Sequence, residues 1–279
     1  MKELTIRTPA KINIGLNIIS KREDGYHNLE TIFYPINLWD ELTVKENDKF
    51  KLITDIPSLD SEDKNTITRA KELISELTGI EIKSSITLHK RIPIGAGMGG
   101  GSSDGAASLI LFNKFYGLNL SNEDLYSLAL EIGSDAPFFI EPKPKFGTSR
   151  GEIFESIRLT IDKPILIVNP GINISTSWAF SKIKPKMPKI HLNQIELKGQ
   201  INLSNFKNTI VNDFESVVFE SYPEIKEIKN RMYDLGADYS LMTGSGSTVF
   251  GIFPSLSSAQ NASREFPLNY FTFIHIELK

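Results

Sequence analysis

Pro93-Ile94-Gly95-Ala96-Gly97-Met98-Gly99-Gly100-Gly101-Ser102-Ser103-Asp104 decides how this chain is read, with five glycines between positions 95 and 101. Glycine admits φ > 0 and has no Cβ to hold a ligand away, so several amides of such a stretch can converge on one anion. Residues 106–112 are apolar and the segment closes at Gly117. That predicts a helix whose unpaired amides and positive dipole end face back into the loop. A plain flexible turn is the alternative for this composition. Gly95, Gly97 and Gly100 also satisfy G-x-G-x-x-G, which marks a dinucleotide site when it opens a βαβ unit. Further on, however, the chain reads Gly117-Leu118-Asn119-Leu120-Ser121-Asn122-Glu123-Asp124, a helix stop and a new helix start where a second buried strand would be needed. It is not a P-loop, because Gly101 stands where the lysine belongs. Phosphoryl transfer here must take its cation from elsewhere in the chain.

The composition sets the frame. With 279 residues, 40% of them hydrophobic, the chain can bury a full core and is long enough for two lobes, expected at 1–160 and 161–279. A net charge of −3 gives no general attraction to nucleic acid or an anionic membrane, so phosphate affinity must be local. No cysteine is present and the four histidines are scattered, which excludes disulfides and thiolate chemistry and leaves no metal cage of the usual spacing. Lys2, Glu3, Arg7 and Lys11 interrupt the N-terminal apolar residues and no run of apolar residues is long enough to span a bilayer. A soluble cytoplasmic protein is the expectation.

Periodicity places the elements. Ile12, Ile14, Leu16 and Ile18 alternate with Lys11, Asn13, Gly15 and Asn17, a strand that puts Lys11 and Asn13 on one face. Further strands are predicted over 29–36, 40–46, 50–54 and 80–88. Asn65 or Thr66 caps a helix ended by Gly79, and Ser121 with Asp124 opens another that ends at Gly133. A short buried strand over 164–168 opens the second half. Lysine, proline and polar residues mark 183–206 as a solvent-facing excursion or lid, followed by helices near 222–235 and 257–265 and a last strand over 271–278. Strands first and mixed elements later make the fold class α+β.

Several residues are candidates for chemistry. Lys11 is either a cation held for catalysis or a solvated edge lysine. Asp135, in Gly133-Ser134-Asp135-Ala136-Pro137-Phe138-Phe139, is either a partly desolvated base or a turn or cap residue. Tyr26 and His27 lie on the charged turn 21–28 and suit base stacking and edge recognition, or simply decorate a hairpin. Thr243-Gly244-Ser245-Gly246-Ser247-Thr248 is a second small-residue turn. His89, His191 and His275 read as structural or surface residues.

Three separated motifs fit one pattern. Pro9-Ala10-Lys11-Ile12-Asn13, the loop 93–104 and the stretch 242–248 resemble the three signatures of the GHMP small-molecule kinases. The extended loop, Asp24-Gly25-Tyr26-His27, the stretch 133–139 and the stretch 241–247 are most similar to the branch that uses ATP to phosphorylate the 2-hydroxyl of 4-diphosphocytidyl-2-C-methyl-D-erythritol in non-mevalonate isoprenoid biosynthesis. The resemblance implies a two-lobed fold with the active site in the cleft between lobes, and Lys11 and Asp135 as the catalytic pair. It also implies an ATP site made of Pro93, Gly95, Ala96, Gly97, Met98, Gly99, Gly100, Gly101, Ser102 and Ser103, with Asn65 near adenine. Asn13, Tyr26, His27, Phe180, Thr243 and Gly244 would hold the cytidyl substrate, Phe180 opposite Tyr26 across the base and Trp178 a rival for that place. Magnesium is expected with ATP, without an assigned protein ligand; neither nucleic acid nor membrane is an expected partner. Another GHMP kinase, of the mevalonate or homoserine type, or a nucleotide-binding protein without turnover, are the alternatives.

Overall fold

The computed structural model describes residues 2–56, 59, 65–195, 199–200 and 203–277. Two long strands, β1 (Glu3–Lys21) and β2 (His27–Glu46), open the chain. Where the sequence predicts a break near 37–39, β2 runs on, because Leu38 and Asp40 both continue the inward-facing alternation. The chain forms two compact units that interleave in sequence: Met1–Ala10, Leu38–Ile92 and Gly99–Pro142 in one; Lys11–Asn37, Pro93–Met98 and Lys143–Lys279 in the other. Neither is a continuous stretch, since β1 and β2 each contribute residues to both.

In the first unit, residues 41–46 of β2 pair antiparallel with β4 (Ser84–His89), and β3 (Lys51–Thr54) pairs parallel with β4. The helices are α1 (Thr66–Thr78), α2 (Gly100–Tyr116) and α3 (Asn122–Ile132), with a 3-10 turn over Ala136–Ile140. Their ends follow the sequence signals. Asn65 accepts a hydrogen bond from the Ile67 amide and Gly79 ends α1 at φ 70°, while Ser121 and Asp124 form a reciprocal capping box on α3. The strand expected from residue 80 begins only at Ser84. Leu42, Val44 and Ile86 of the strands pack with Ile67 and Ile74 of α1 and Leu109 and Phe112 of α2 in one core, each such side chain contributing roughly 1.5–3 kcal/mol.

In the second unit, residues 31–33 of β2 pair antiparallel with β5 (Lys145–Thr148), which pairs with β6 (Ile153–Ser156). The short strands β7 (Leu159–Thr160) and β9 (Gly199–Gln200) pair parallel. An antiparallel sheet of order β10-β11-β8-β12 is made of β8 (Ile165–Asn169), β10 (Tyr239–Met242), β11 (Val249–Ile252) and β12 (Phe271–His275). Helices α4 (Thr176–Lys182), α5 (Glu215–Ser221), α6 (Pro223–Asp234) and α7 (Leu256–Ser263) belong to this unit, whose core gathers Leu166, Val168, Phe214, Ile228, Val249 and Phe253.

Two sequence expectations change here. The 183–206 excursion, where described, is anchored: Leu192 is buried, the His191 ring nitrogen Nδ1 lies 2.9 Å from a Glu30 carboxylate oxygen, and the Leu192 amide donates to Glu30. His191 therefore has a partner, an acid buried on β2, which no local pattern reveals. The last strand ends at His275; residue 278 lies outside the described residues.

Candidate active site

The glycine loop is built as the sequence predicts. Gly95, Gly97 and Gly99 have φ of 65°, 75° and 74°, and between them Ala96 and Met98 bury their side chains. A left-handed residue at alternate positions is the pattern of a nest of amides suited to an anion. Gly99 caps α2 without a side-chain bond, and no acidic residue lies in the first turn, so its first amides are left to a ligand or to water.

Lys11 is not a solvated edge lysine. Only 3% exposed, its ammonium donates to Asn13 Oδ1 at 2.6 Å and to the Gly97 carbonyl at 3.1 Å. Asn13 in turn donates from Nδ2 to Thr31 Oγ1, which donates to the Gly15 carbonyl at 2.6 Å. The buried cation is thus tied to the glycine loop itself, and Asn13 orients it. Thr31 was not singled out from the sequence, because a threonine in a strand carries no signal of its own.

The second small-residue turn belongs to the same assembly. The Asn13 amide donates to Thr243 Oγ1 at 2.9 Å. A Cβ on Gly97 would stand 2.4 Å from the Thr243 carbonyl oxygen and 2.8 Å from that of Gly246, and one on Gly244 2.9 Å from the Gly97 carbonyl oxygen. Backbone lies directly on backbone, which only glycine permits. Asn212 holds the turn from behind, donating from Nδ2 to the Met242 and Gly244 carbonyls, while Asn169 bonds Ser247 and Thr248. These two asparagines are functional supports that sequence reading missed; their only signal was polarity within apolar stretches.

Asp135 precedes the 3-10 turn at φ −84° and ψ −19°, and its carboxylate does not cap that turn. The cap reading is set aside, and the side chain is half-buried. Two residues expected at ATP are engaged elsewhere. Asn65 uses Oδ1 to cap α1 and Nδ2 to reach the Leu59 carbonyl. Ser103, fully buried, donates to the Pro9 carbonyl at 2.7 Å, pairs with Thr8 Oγ1, and spends its amide on the Gly99 carbonyl. Ser103 therefore supports the loop and offers neither hydroxyl nor amide to a phosphate.

His27 stacks on Phe180, with ring centroids 4.9 Å apart and planes at 21°, and Phe180 meets Phe214 edge-on. Trp178 packs against Tyr222 instead, so Phe180 is the aromatic beside the Tyr26-His27 turn. Burial, with nearby Lys21, lowers the His27 pKa and favours the neutral ring at pH 7. Tyr26 is 52% exposed, and the Arg150 guanidinium lies over its ring at 4.6 Å. Arg150, on the turn between β5 and β6, is a further residue that sequence reading did not find.

The described residues do not form a cage for a metal ion of their own. Among the described residues no group of three His, Cys, Asp or Glu side chains is arranged to hold one, and the Ser103 hydroxyl is already committed.

Comparison with known proteins matches two models, GHMP kinases N terminal domain over residues 65–141 and GHMP kinases C terminal over residues 187–271. A 4-diphosphocytidyl-2-C-methyl-D-erythritol kinase from Chlorobium phaeobacteroides (strain BS1) is 39% identical over 95% of this chain and 94% of its own. One from Parabacteroides distasonis is 43% identical over 88% of this chain and 89% of its own. Among solved structures, a 4-(cytidine 5'-diphospho)-2C-methyl-D-erythritol kinase superposes with a TM-score of 0.83 at 31% identity, covering 98% of both chains. With the two interlocked glycine turns and the buried Lys11 as its own features, the chain belongs to the 4-diphosphocytidyl-2-C-methyl-D-erythritol kinase family of GHMP kinases.

Proposed function

We propose that this chain transfers the γ-phosphoryl group of ATP to the 2-hydroxyl of 4-diphosphocytidyl-2-C-methyl-D-erythritol, a step of non-mevalonate isoprenoid biosynthesis. The observation that carries the reading is the buried Lys11 ammonium, bonded both to Asn13 and to the carbonyl of Gly97 in the glycine loop. A loop without a P-loop lysine needs its cation from another segment, and Lys11 meets that need.

An alcohol is a weak nucleophile, and phosphoryl transfer depends on positioning and charge neutralisation more than on covalent chemistry. In the proposed step the substrate oxygen bonds the γ-phosphorus as the bond to the β-phosphate bridging oxygen breaks, ADP leaves, and the hydroxyl proton passes to the Asp135 carboxylate. Lys11 offsets the negative charge gathering on the transferred group, with amides of the loop as further donors. Magnesium arriving on the phosphates of ATP would add further charge neutralisation. Neutral His27 offers a ring edge to the cytosine and Tyr26 a face, while Phe180, stacked on His27 in this structure, must part from that ring to offer the other face. Asn13, Thr243 and Gly244 border the substrate in this reading and also fix Lys11 and Gly97.

The test is phosphorylation with ATP and magnesium of the cytidyl substrate, mevalonate and homoserine in parallel. Turnover with the cytidyl compound alone is expected. Equal or better turnover of mevalonate or homoserine refutes the substrate, and no turnover of any refutes the kinase reading.

A further inference from the structure

The glycine loop leaves the first unit after Ile92 and rejoins it at Gly99, and both of its feet are held by one buried ion cluster. Ahead of the loop, Asp40 Oδ1 accepts hydrogen bonds from the amides of Arg91 at 2.6 Å and Ile92 at 2.9 Å. The other oxygen of Asp40 accepts from the Lys90 ammonium at 2.5 Å. Behind the loop, Asp104 of α2 accepts from the same ammonium at 2.8 Å. The three side chains are 5%, 0% and 4% exposed for Lys90, Asp40 and Asp104. The feet also touch: a Cβ on Gly100 would stand 3.0 Å from Ile92 Cγ2 and 3.1 Å from Lys90 Nζ.

Three desolvated charges are a costly way to stabilise a fold, since an apolar trio of equal volume would serve as well or better. What they supply is geometry. A stretch with five glycines loses much conformational entropy when it is ordered around a ligand, and fixing its ends beforehand removes part of that cost from binding. We propose that Lys90, bridging Asp40 and Asp104, is a positioning residue that clamps the two feet of the glycine loop and so sets the affinity for the nucleotide. This rests on the assignment of residues 93–104 to ATP.

The clamp carries one positive and two negative groups, and Asp104 Oδ1 is buried without a hydrogen-bond partner. The charged groups acting on Asp104 are Lys90, from the segment after β4, and Asp40, from β2. Desolvation, opposed by the attraction of Lys90 and helped by Asp40, pushes the Asp104 carboxyl up to about 7. Its ionisation near neutrality supplies the charge, little more than one turn into α2, that holds Lys90 to the helix.

The experiment is calorimetric binding of the magnesium complex of the β,γ-imido analogue of ATP to the full chain and to Lys90→Met, Asp104→Asn and Gly101→Ala, from about pH 6 to about pH 8.5. KM for each substrate is measured alongside. Lys90→Met is expected to weaken nucleotide binding by ~10-fold or more while the cytidyl substrate's KM moves less than about twofold. In the unaltered protein nucleotide affinity should rise above about pH 7, as Asp104 ionises against Lys90 and tightens the clamp, and Asp104→Asn should abolish that rise. Nucleotide affinity at the unaltered level in Lys90→Met, or an equal loss for both substrates, overturns the proposal. Should Lys90→Met not fold, Asp104→Asn decides, and a pH profile like that of the unaltered protein overturns it. If Gly101→Ala binds the nucleotide normally, the loop assignment itself fails and the clamp with it; if Gly101→Ala is weakened and Lys90→Met is not, only the clamp fails.

Discussion

Replacing Gly101 by alanine separates the two things a glycine can do, because at this position stability and ligand binding should move in opposite directions. Gly101 is the second residue of α2, it carries no positive φ, and an ideal Cβ there meets nothing within 4 Å. The protein therefore has no reason of its own to exclude a methyl group. Alanine in a helix at a compatible site is worth about 0.4–1 kcal/mol over glycine, mainly through the unfolded chain. For a chain of this size that raises Tm by about 1–4 °C. If the triphosphate approaches the first amides of α2, the same methyl occupies its path, and the nucleotide Kd should rise by ~10-fold or more, equivalent to about 1.4 kcal/mol. Thermal unfolding and calorimetric titration of the variant read the two effects separately. A raised Tm with unchanged nucleotide affinity would refute the idea that the open space at Gly101 is kept for phosphate.

Gly97→Ala should behave in the opposite way, since its Cβ would fall 2.4 Å from a backbone oxygen: a loss of about 2 kcal/mol or more in stability is expected in chemical denaturation, and an unchanged midpoint argues against the interlocked turns. Lys11→Ala and Asp135→Asn should each lower kcat by ~10²-fold or more with the circular dichroism spectrum retained; near-normal turnover removes either from the mechanism. Tyr26→Ala should cost about 1–3 kcal/mol in affinity for the cytidyl substrate with a smaller effect on kcat, and an unchanged Kd rejects the stacking role. Burial pushes the Asp104 carboxyl from its ordinary carboxylate value up to about 7. The folded state therefore holds this proton more tightly than the unfolded chain, and stability falls as pH rises from about 4 to about 7. Asp104→Asn should flatten that limb of the pH–stability curve and exceed the unaltered protein above about pH 7; identical curves would show that the buried carboxyl is not the source.

Much of the site was legible because it depends on local chemistry. The glycine loop, the caps Asn65 and Gly79 on α1, and the Ser121-Asp124 box act within a few residues of themselves, so the sequence displays them directly. The alternation around Lys11 gave its face. It did not give its burial, which depends on Gly97 being folded against it. Helices α4 and α5 and strands β5 and β6 are only four to seven residues long, too short for a period to stand out. Asp40, Thr31, Asn169, Asn212 and Arg150 act on partners far along the chain. A single polar residue in an apolar strand shows that something must satisfy it without showing what. The Lys90 cluster is the clearest case, since 50 positions separate it from Asp40 and 14 from Asp104.

The bonds that close β1 bear on the order in which the polypeptide matures as it leaves the ribosome. The Leu16 amide donates to the Val211 carbonyl, the Asp213 amide donates to the Leu16 carbonyl, and Gly15, at φ 79°, packs against Leu192 and Ile210. These partners are translated well after Pro142, by which point every segment of the first unit has been made. The stretch bearing Lys11 must therefore wait for these partners until residue 213 has been made, and nascent chains stalled short of that point should expose part of it to holdase chaperones and proteases.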